Sequence, residues 1–205
     1  MSIPKKRARQ YFEAEPETPS RPHSIRLRLP GLELELETDA QVFSGGRVDP
    51  GTLVLLREAP PPPPEGDLLD LGCGYGPIAL ALARRAPAAR VWAVDANLRA
   101  LELTRRNAER AAVGALTACL PEQVPPELTF AAIYSNPPVR VGKAALHGLL
   151  LAWLPRLAPG AHAYLVVQTH LGADSLARWL GGQGFSVRRL ASKHSYRVLD
   201  VAREG

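Results

Sequence analysis

The stretch DLLDLGCGYGPIALALARRAPAARVWAVD, residues 67–95, decides the fold expected for this chain. It begins with a short, mostly apolar run that predicts a buried strand, and a glycine-rich turn then leads into an apolar helix over 77–86. RVWAVD (90–95) predicts the next strand. Strand, crossover helix and strand in this order are typical of a parallel pair in an α/β sheet.

The same alternation continues to the end of the chain. Further strands are predicted at 115–120, 130–135 and 161–168, and further helices at 96–112, 143–154 and 172–182. The last two predicted strands, 185–191 and 195–202, are too close for a helical crossover and must be antiparallel. We therefore expect a Rossmann-like α/β fold, with a mostly parallel seven-stranded sheet, helices on both faces and a C-terminal antiparallel hairpin.

An N-terminal hairpin is predicted upstream of this sheet. SIRLRL (24–29) and LELELE (32–37) alternate apolar and polar residues with the period of half-buried strands. The Pro-Gly turn between them pairs Arg28 with Glu33 on one face and sets leucines opposite each other on the other face. That turn is not of the favoured primed type, so a longer loop or a bulge would shift the register. We expect a structural hairpin that covers the edge of something larger.

A run of five prolines, residues 60–64, suggests how the chain is divided. Such a run is a stiff spacer that can be neither a helix nor a central strand, so we place a subdomain boundary there. The expected segments are a basic, polar arm (1–24), a hairpin and helix subdomain (25–59) whose helix starts near Asp49, and the main α/β domain (65–205).

Composition and charge exclude several classes of protein. A hydrophobic content of 46% with 22% charged residues excludes wholesale disorder, and no run approaches the ~20 apolar residues that span a bilayer. Two cysteines are too few for a disulfide framework or a cysteine-based zinc site, the histidines follow no metal-ligand spacing, and no secretory signal is recognisable. We therefore expect a cytoplasmic protein without a metal.

The charge is unevenly distributed along the chain. Residues 1–66 carry nine cations and ten anions, a net −1, whereas residues 67–205 carry sixteen cations and ten anions, a net +6. Attraction to an anionic partner would come mainly from the second part, although this charge is compatible with nucleic acid without requiring it.

The turn after the first strand of the main domain predicts a cofactor site. Gly72 and Gly74 allow the backbone to approach a ligand closely, and Asp95 ends the next strand, where a carboxylate can bind both hydroxyls of a ribose. Asp70 precedes the glycines, which disfavours a pyrophosphate and favours a cofactor with a cationic amino-acid end. Cys73 is expected to be a small residue in a tight turn rather than a catalytic thiolate.

These motifs resemble those of the class I S-adenosylmethionine-dependent methyltransferases. DLGCGYGP (70–77) is similar to their first motif and VDAN (94–97) to their acidic second motif. The resemblance implies the class I methyltransferase fold and S-adenosyl-L-methionine as cofactor, contacted by Asp70, Gly72, Cys73, Gly74, Asp95 and Ala96. Such families usually carry an Asp, Ser or Asn for the adenine at the end of the third strand; here backbone groups of Cys119 and Leu120 are the candidates.

The fourth strand leads into SNPPVRVGK (135–143), which predicts an acceptor site for a nitrogen substrate. Pro137 and Pro138 lock a rigid loop at the carboxyl end of the strand, where ligands bind in open α/β sheets. An exocyclic or amide nitrogen is a poor nucleophile because its lone pair is delocalised. The Asn136 side-chain oxygen and the Pro137 carbonyl can accept hydrogen bonds from that NH2 group and aim its lone pair at the methyl donor.

Asn-Pro-Pro followed by an aromatic residue is typical of amino-methyltransferases acting on adenine, guanine or glutamine-amide nitrogens. This chain has Val139 at the aromatic position, and Phe43 or Tyr75 is a candidate to compensate. With Asp49 and Gly51 upstream, the motifs resemble the small-subunit ribosomal RNA guanine-N2 methyltransferase C family, more closely its short, single-domain bacterial members, over about residues 10–204.

This second resemblance implies methyl transfer to a guanine exocyclic amine in 16S rRNA, within an assembled or partly assembled 30S particle. It implies that Asn136, Pro137 and Pro138 are catalytic, that Asn136 also contacts the cofactor, and that Phe43, Val139, Arg140 and Lys143 bind the substrate. Solvated charges at a helix start are the alternative for the two cations, and the basic arm either tracks RNA or is a disordered tail.

Three other functions stay open at this stage. Two are enzymes of the same fold: a protein glutamine-amide N5-methyltransferase and an N6-adenine methyltransferase. The third is a non-catalytic cofactor-binding or ribosome-assembly module, against which the intact Asn136 argues.

Overall fold

The computed structural model describes residues 22–39, 46–138 and 142–204. Within these ranges the chain forms nine strands and five α-helices. The strands are β1 (His23–Leu29), β2 (Leu32–Thr38), β3 (Asp67–Leu71), β4 (Arg90–Val94), β5 (Leu116–Cys119), β6 (Phe130–Ser135), β7 (Leu157–Gln168), β8 (Phe185–Lys193) and β9 (Tyr196–Arg203). The helices are α1 (Pro50–Glu58), α2 (Pro77–Arg85), α3 (Leu98–Arg110), α4 (Lys143–Trp153) and α5 (Ala173–Gly181).

The main sheet has seven strands in the order β5-β4-β3-β6-β7-β9-β8. Strand β9 runs antiparallel to both of its neighbours, and the remaining pairs are parallel. The Rossmann-like α/β fold with a C-terminal antiparallel hairpin is therefore confirmed. The chain passes from β3 outward to β5 and then returns to place β6 on the other side of β3, so the carboxyl ends of β3 and β6 flank a crevice.

Helices cover both faces of the sheet, which explains why β3 is buried at all five residues. On one face, Leu68 belongs to the hydrophobic cluster that includes α1, α2, α3 and the N-terminal hairpin. On the other face, its neighbour Leu69 belongs to the cluster with α4 and α5. Successive residues of a strand point to opposite faces, and here both faces are apolar.

The N-terminal hairpin has the predicted register. Arg28 lies opposite Glu33 and Leu27 opposite Leu34, and the arginine Nε donates to the glutamate at 3.1 Å. The hairpin forms a separate two-stranded sheet that packs against α1 and α3. A fully buried side chain on α3 secures it, because the Asn107 amide accepts from Glu37 N at 2.7 Å and donates to Glu37 O at 2.8 Å.

Helix α1 follows a regular cap and packs against β7 and β9 of the main sheet. Asp49 is its N-cap and accepts from Thr52 N at 3.1 Å, and a proline occupies the first turn, where the missing N–H costs nothing. The proline run after α1 is neither helix nor strand. Leu27 and Leu55 share one hydrophobic cluster with Leu80 of the main domain, so the segments on either side of the prolines pack together. The division at the prolines stays a prediction.

Two further observations concern only the described part of the chain. It contains no helix long and apolar enough to cross a membrane, and no group of three or more His, Cys, Asp or Glu side chains arranged to hold a metal ion. The predicted basic arm lies outside the described residues as far as residue 21.

Candidate active site

The glycine turn after β3 is held by backbone hydrogen bonds to the neighbouring strand. Gly72 N and Cys73 N both donate to Val94 O, at 2.8 and 3.0 Å. Gly72 has φ +77° and Gly74 has φ +57°, a region that glycine adopts without strain, and a Cβ added at either position would meet no atom within 4 Å. The two predicted glycines therefore border open space at the carboxyl end of β3.

Gly76 closes the turn as the left-handed N-cap of α2. Its φ is +89°, and a Cβ here would lie 2.7 Å from Leu80 Cδ1 and 2.9 Å from Thr104 Cγ2. Thr104, fully buried on α3, also donates its hydroxyl to Gly74 O at 2.9 Å. The turn is thus fixed from outside by a side chain to which the sequence reasoning assigned no role.

Asp70 is fully buried near the end of β3, and one of its two carboxylate oxygens has no hydrogen-bond partner among the described residues. Its Oδ2 accepts from Ala79 N at 2.9 Å, whereas Oδ1 is a buried atom to which none of the described residues donates. Burial raises the pKa of Asp70 to about 8, and nearby Asp95 raises it further against the lowering effect of the Ala79 N–H. A cationic amino group at Oδ1 would supply the missing partner.

Asp95 links the glycine turn to the end of β4. Its Oδ2 accepts from Gly74 N and its Oδ1 from Asn97 N, both at 2.9 Å. Burial raises the pKa of Asp95, and backbone donors from Asn97, Gly74 and Ala96 oppose this shift. Each carboxylate oxygen can accept more than one hydrogen bond, so the ribose role predicted for Asp95 is compatible with these contacts.

Cys73 is a buried structural residue in this turn. Its Sγ lies 3.7 Å from Thr104 Oγ1, and burial raises the pKa of its thiol well above its ordinary value. A protonated, inaccessible thiol is not a nucleophile. The expectation that Cys73 is a small turn residue agrees with this environment.

The end of β5 lies beside that of β4 in the sheet. Cys119 O accepts from Asp95 N at 3.4 Å, which keeps the two strand ends together. The Leu120 N–H already donates to Gln123 Oε1 at 2.8 Å. The adenine contact assigned to Cys119 and Leu120 stays a prediction.

Asn136 directly follows β6, and its amide nitrogen is tied to α1. Nδ2 donates to Asp49 Oδ2 at 2.8 Å and to Thr52 Oγ1 at 3.1 Å. None of the described residues donates to Asn136 Oδ1. Pro137 is buried and Pro138 half-buried, as expected for a rigid loop packed against the sheet. The amide therefore turns its nitrogen towards α1, and its oxygen points away from Asp49 and Thr52.

The structure describes only one of the other residues predicted to bind the substrate. Phe43, Val139 and Arg140 lie outside the described residues. Lys143 is exposed at the first turn of α4, five positions after Pro138. Tyr75 was a candidate to compensate for the missing aromatic residue, and this expectation is wrong, because its side chain is only 2% exposed and a stacking surface must be accessible.

The site thus gathers residues from four adjacent strand ends. The predicted residues lie at the carboxyl ends of β3, β4, β5 and β6, which is the edge where open α/β sheets bind ligands. The sequence indicates Asp49 only as a helix start and a motif residue. Its contact with Asn136 joins positions 87 residues apart, and no local pattern reports such a pairing.

The chain is similar to several known proteins over most of its length. A family profile described as "Methyltransferase small domain" matches residues 33–200. The protein YbxB of Bacillus subtilis, described as uncharacterized, is 31% identical over 192 residues, which cover 92% of this chain and 96% of YbxB. The "Ribosomal RNA small subunit methyltransferase C" of Pseudomonas aeruginosa is 35% identical over 197 residues, covering 93% of this chain and 57% of that protein.

A solved structure is similar over the same region. It is described as T. thermophilus 16S rRNA N2 G1207 methyltransferase (RsmC) in complex with AdoMet and guanosine. It has a TM-score of 0.72 and 29% sequence identity, and the match covers 92% of this chain and 52% of that one. The chain spans about half the length of these two rRNA methyltransferases and nearly all of YbxB.

Proposed function

The chain belongs to the methyltransferase small domain family of S-adenosylmethionine-dependent enzymes, with relatives of the RsmC type, and on that premise we propose that it methylates the exocyclic amine of a guanine in 16S rRNA. The main support for this proposal is the Asn136 amide. Its nitrogen donates a hydrogen bond to Asp49, while its oxygen has no donor among the described residues. An acceptor at this position suits a substrate that presents an NH2 group.

The residues at the carboxyl ends of β3 and β4 fit S-adenosylmethionine. Asp70 Oδ1 is a buried acceptor in need of a cationic partner, which suits the ammonium of the methionine part. The open space beside Gly72 and Gly74 suits a ligand lying against the backbone, and Asp95 would hold the ribose. When bound, the cofactor supplies an electrophilic methyl group on a sulfonium.

The chain's own part in the reaction is to orient the nucleophile. Asn136 Oδ1 and the Pro137 carbonyl would each accept one hydrogen of the guanine amine. This fixes the plane of the NH2 group and turns its lone pair towards the methyl donor, which counters the delocalisation that makes the nitrogen weak. After transfer the positively charged nitrogen is strongly acidic, so one of its protons leaves to solvent without a dedicated base.

Support for an RNA substrate comes from charge and from the relatives. Lys143 is exposed at the first turn of α4, where it would contact a phosphate, and Arg140 is proposed to do the same. The net +6 of residues 67–205 favours an anionic partner. The P. aeruginosa relative is a small-subunit rRNA methyltransferase by its description, and the solved RsmC structure contains guanosine. Such a substrate would place the reaction in the cytoplasm.

The test is methyl transfer from labelled S-adenosylmethionine to four acceptors: 30S particles, 50S particles, naked 16S rRNA and a release factor. Ribosomal acceptors come from a strain lacking this gene, so that the target is unmodified. We expect label on 30S or 16S rRNA, and digestion followed by nucleoside mass spectrometry should identify N2-methylguanosine. Label on N6-methyladenosine, or on protein with none on RNA, would contradict the proposal.

A further inference from the structure

The Asn136 amide is clamped by two side chains of the N-terminal segment. Asp49 Oδ2 and Thr52 Oγ1 receive hydrogen bonds from Nδ2 at 2.8 and 3.1 Å. Thr52 is 3% exposed, so the clamp is largely shielded from water. Both amide hydrogens thus have acceptors in α1 or its cap, although α1 and β6 are separated by most of the cofactor half of the sequence.

The chemistry of the clamp allows only one orientation of the amide. An ionised carboxylate accepts hydrogen bonds and has none to donate, so it selects the nitrogen end of an asparagine side chain. The opposite orientation would set Asn136 Oδ1 against Asp49 Oδ2, two acceptors at hydrogen-bond distance. It would also present NH2 to the substrate, and an amine substrate offers hydrogens rather than lone pairs there.

The position of Asp49 is itself fixed by packing. A Cβ at Gly51 would lie 2.8 Å from Asp49 Oδ2 and 2.6 Å from Tyr196 Cε1, so glycine lets α1 approach the sheet closely at this point. Tyr196, at the start of β9, is 9% exposed, and its hydroxyl accepts from Gln168 Nε2 at 2.8 Å. The Asp-x-Gly spacing thus joins a cap, a close approach and the contact to Asn136.

We propose that Asp49, assisted by Thr52, is a positioning residue that fixes the Asn136 amide with its oxygen directed to the acceptor amine. The carboxylate also polarises the amide through a charge-assisted hydrogen bond, which makes Oδ1 a stronger acceptor. The catalytic consequence rests on the proposed amine substrate, whereas the orientation of the amide does not.

Three variants separate positioning from helix capping. Asp49→Ser keeps a good N-cap but is too short to reach Asn136 while capping, Asp49→Asn keeps a neutral acceptor, and Thr52→Val removes the second acceptor at nearly constant volume. Glu58→Ser makes the same acid-to-serine change at the other end of α1 and is the matched control.

The kinetic arm measures kcat, the KM for the acceptor and the Kd for the cofactor. Asp49→Ser should lower kcat about 100-fold, the scale of a misplaced catalytic group, with cofactor Kd within about threefold of wild type. Asp49→Asn should recover part of that loss, Thr52→Val should lose less than Asp49→Ser, and Glu58→Ser should match wild type. An unchanged kcat in Asp49→Ser, or a rise in cofactor Kd that accounts for the whole loss, would overturn the proposal.

The orientation is measured separately by NMR of 15N-asparagine-labelled protein. The chain has only three asparagines, Asn97, Asn107 and Asn136, so three side-chain NH2 pairs are expected and two of them serve as internal controls. Asp49→Ser should move the Asn136 pair upfield and speed its hydrogen exchange, while the other two pairs stay in place. An unmoved Asn136 pair would overturn the proposal.

The two arms keep this inference distinct from the proposed function. If wild type labels no rRNA, the proposed function fails, and the NMR arm still decides whether Asp49 sets the amide. If wild type labels a different amine or amide, the kinetic series is repeated with that acceptor, and the same thresholds apply.

Discussion

The two halves of the site are built in different ways. The cofactor half consists of Asp70, the following glycines and Asp95, and its turn is held by backbone hydrogen bonds to Val94 O and by the side chains of Asp95 and Thr104. The acceptor half depends on Asn136, whose amide is set by Asp49 and Thr52, 87 and 84 positions away. The first half is a backbone conformation that its glycines indicate in the sequence, whereas the second is a contact between side chains that no sequence motif indicates.

The carboxylates of the two halves differ in the same way. Asp70 Oδ1 is buried without a donor among the described residues, whereas Asp49 Oδ2 accepts two hydrogen bonds. An unsatisfied buried carboxylate suits a ligand that brings its own positive charge, and a satisfied one suits a role in holding another residue. The contrast predicts that substitutions in the cofactor half impair cofactor binding, whereas substitutions in the acceptor half impair turnover.

The largest effect is expected where the acceptor half is broken directly. Asn136→Ala removes the side-chain acceptor and should lower kcat about 1,000-fold, the upper range for loss of one preorganised hydrogen-bond group. Cofactor Kd, measured by isothermal titration calorimetry, should stay within about threefold of wild type. A parallel loss of cofactor affinity would show that Asn136 serves the cofactor and would erase the contrast between the halves.

The next effect tests whether the cofactor half rests on local backbone geometry. Gly76→Ala puts a Cβ 2.7 Å from Leu80 and 2.9 Å from Thr104 at a φ of +89°, so it should lower the free energy of unfolding by about 3 kcal/mol. Urea unfolding measures this.

Gly148→Ala is the matched control, because its Cβ would meet nothing within 4 Å in the middle of α4. It should raise the free energy of unfolding by up to about 1 kcal/mol through helix propensity. Equal effects of the two substitutions would contradict the steric account of Gly76.

A third change breaks the cofactor half through a side chain. Asp95→Ala removes the proposed ribose ligand and the acceptor for Gly74 N, so cofactor Kd should rise about 100-fold while kcat at saturating cofactor falls only severalfold. Asp67→Asn, at the opposite end of β3 and paired with Arg90 and Trp92, should leave Kd unchanged. A fall in kcat without a change in Kd would assign Asp95 to the acceptor half.

The last effect, the smallest when counted per pH unit, concerns the stability of the cofactor-free protein. Burial raises the pKa of Asp70 from 3.8 to about 8, so between these values the folded state binds a proton that the unfolded state has released. Stability from this group is therefore lost as pH rises, by up to about 1.4 kcal/mol per pH unit, and levels off above pH 8. Urea unfolding of wild type and Asp70→Asn from pH 5 to 9 measures the difference, and parallel curves would contradict the burial of an ionisable Asp70.

Much of the fold was predictable because the signals were short-range. The hairpin register follows from alternation about one turn, and the structure confirms the pairing of Arg28 with Glu33. The strands of the main sheet follow from apolar runs separated by helices, and the antiparallel β9 from a connection too short for a crossover. The separate hairpin sheet on α1 and α3 was not predictable, because its docking depends on buried contacts such as Asn107 with Glu37.

In the candidate site too, residues with a short-range sequence signal were predictable and residues that depend on packing were not. Glycines in a turn are informative by themselves, since positive φ and close approach restrict the residue type, and Gly72 and Gly74 were recognised for that reason. The stacking role considered for Tyr75 is wrong because its ring is buried, and the neighbouring residues in the sequence do not indicate that burial.

The sequence by itself determined the order of the elements, the hairpin register and the presence of a glycine turn, since periodicity and positive φ restrict the residue types within a few positions. Only the tertiary structure decided that α1 reaches the acceptor loop, that Asn136 turns its nitrogen to Asp49, and that Asp70 keeps an unpaired buried oxygen. These properties arise from desolvation and from contacts between distant positions. A single chain offers many chemically equivalent partners for such contacts, and packing selects among them.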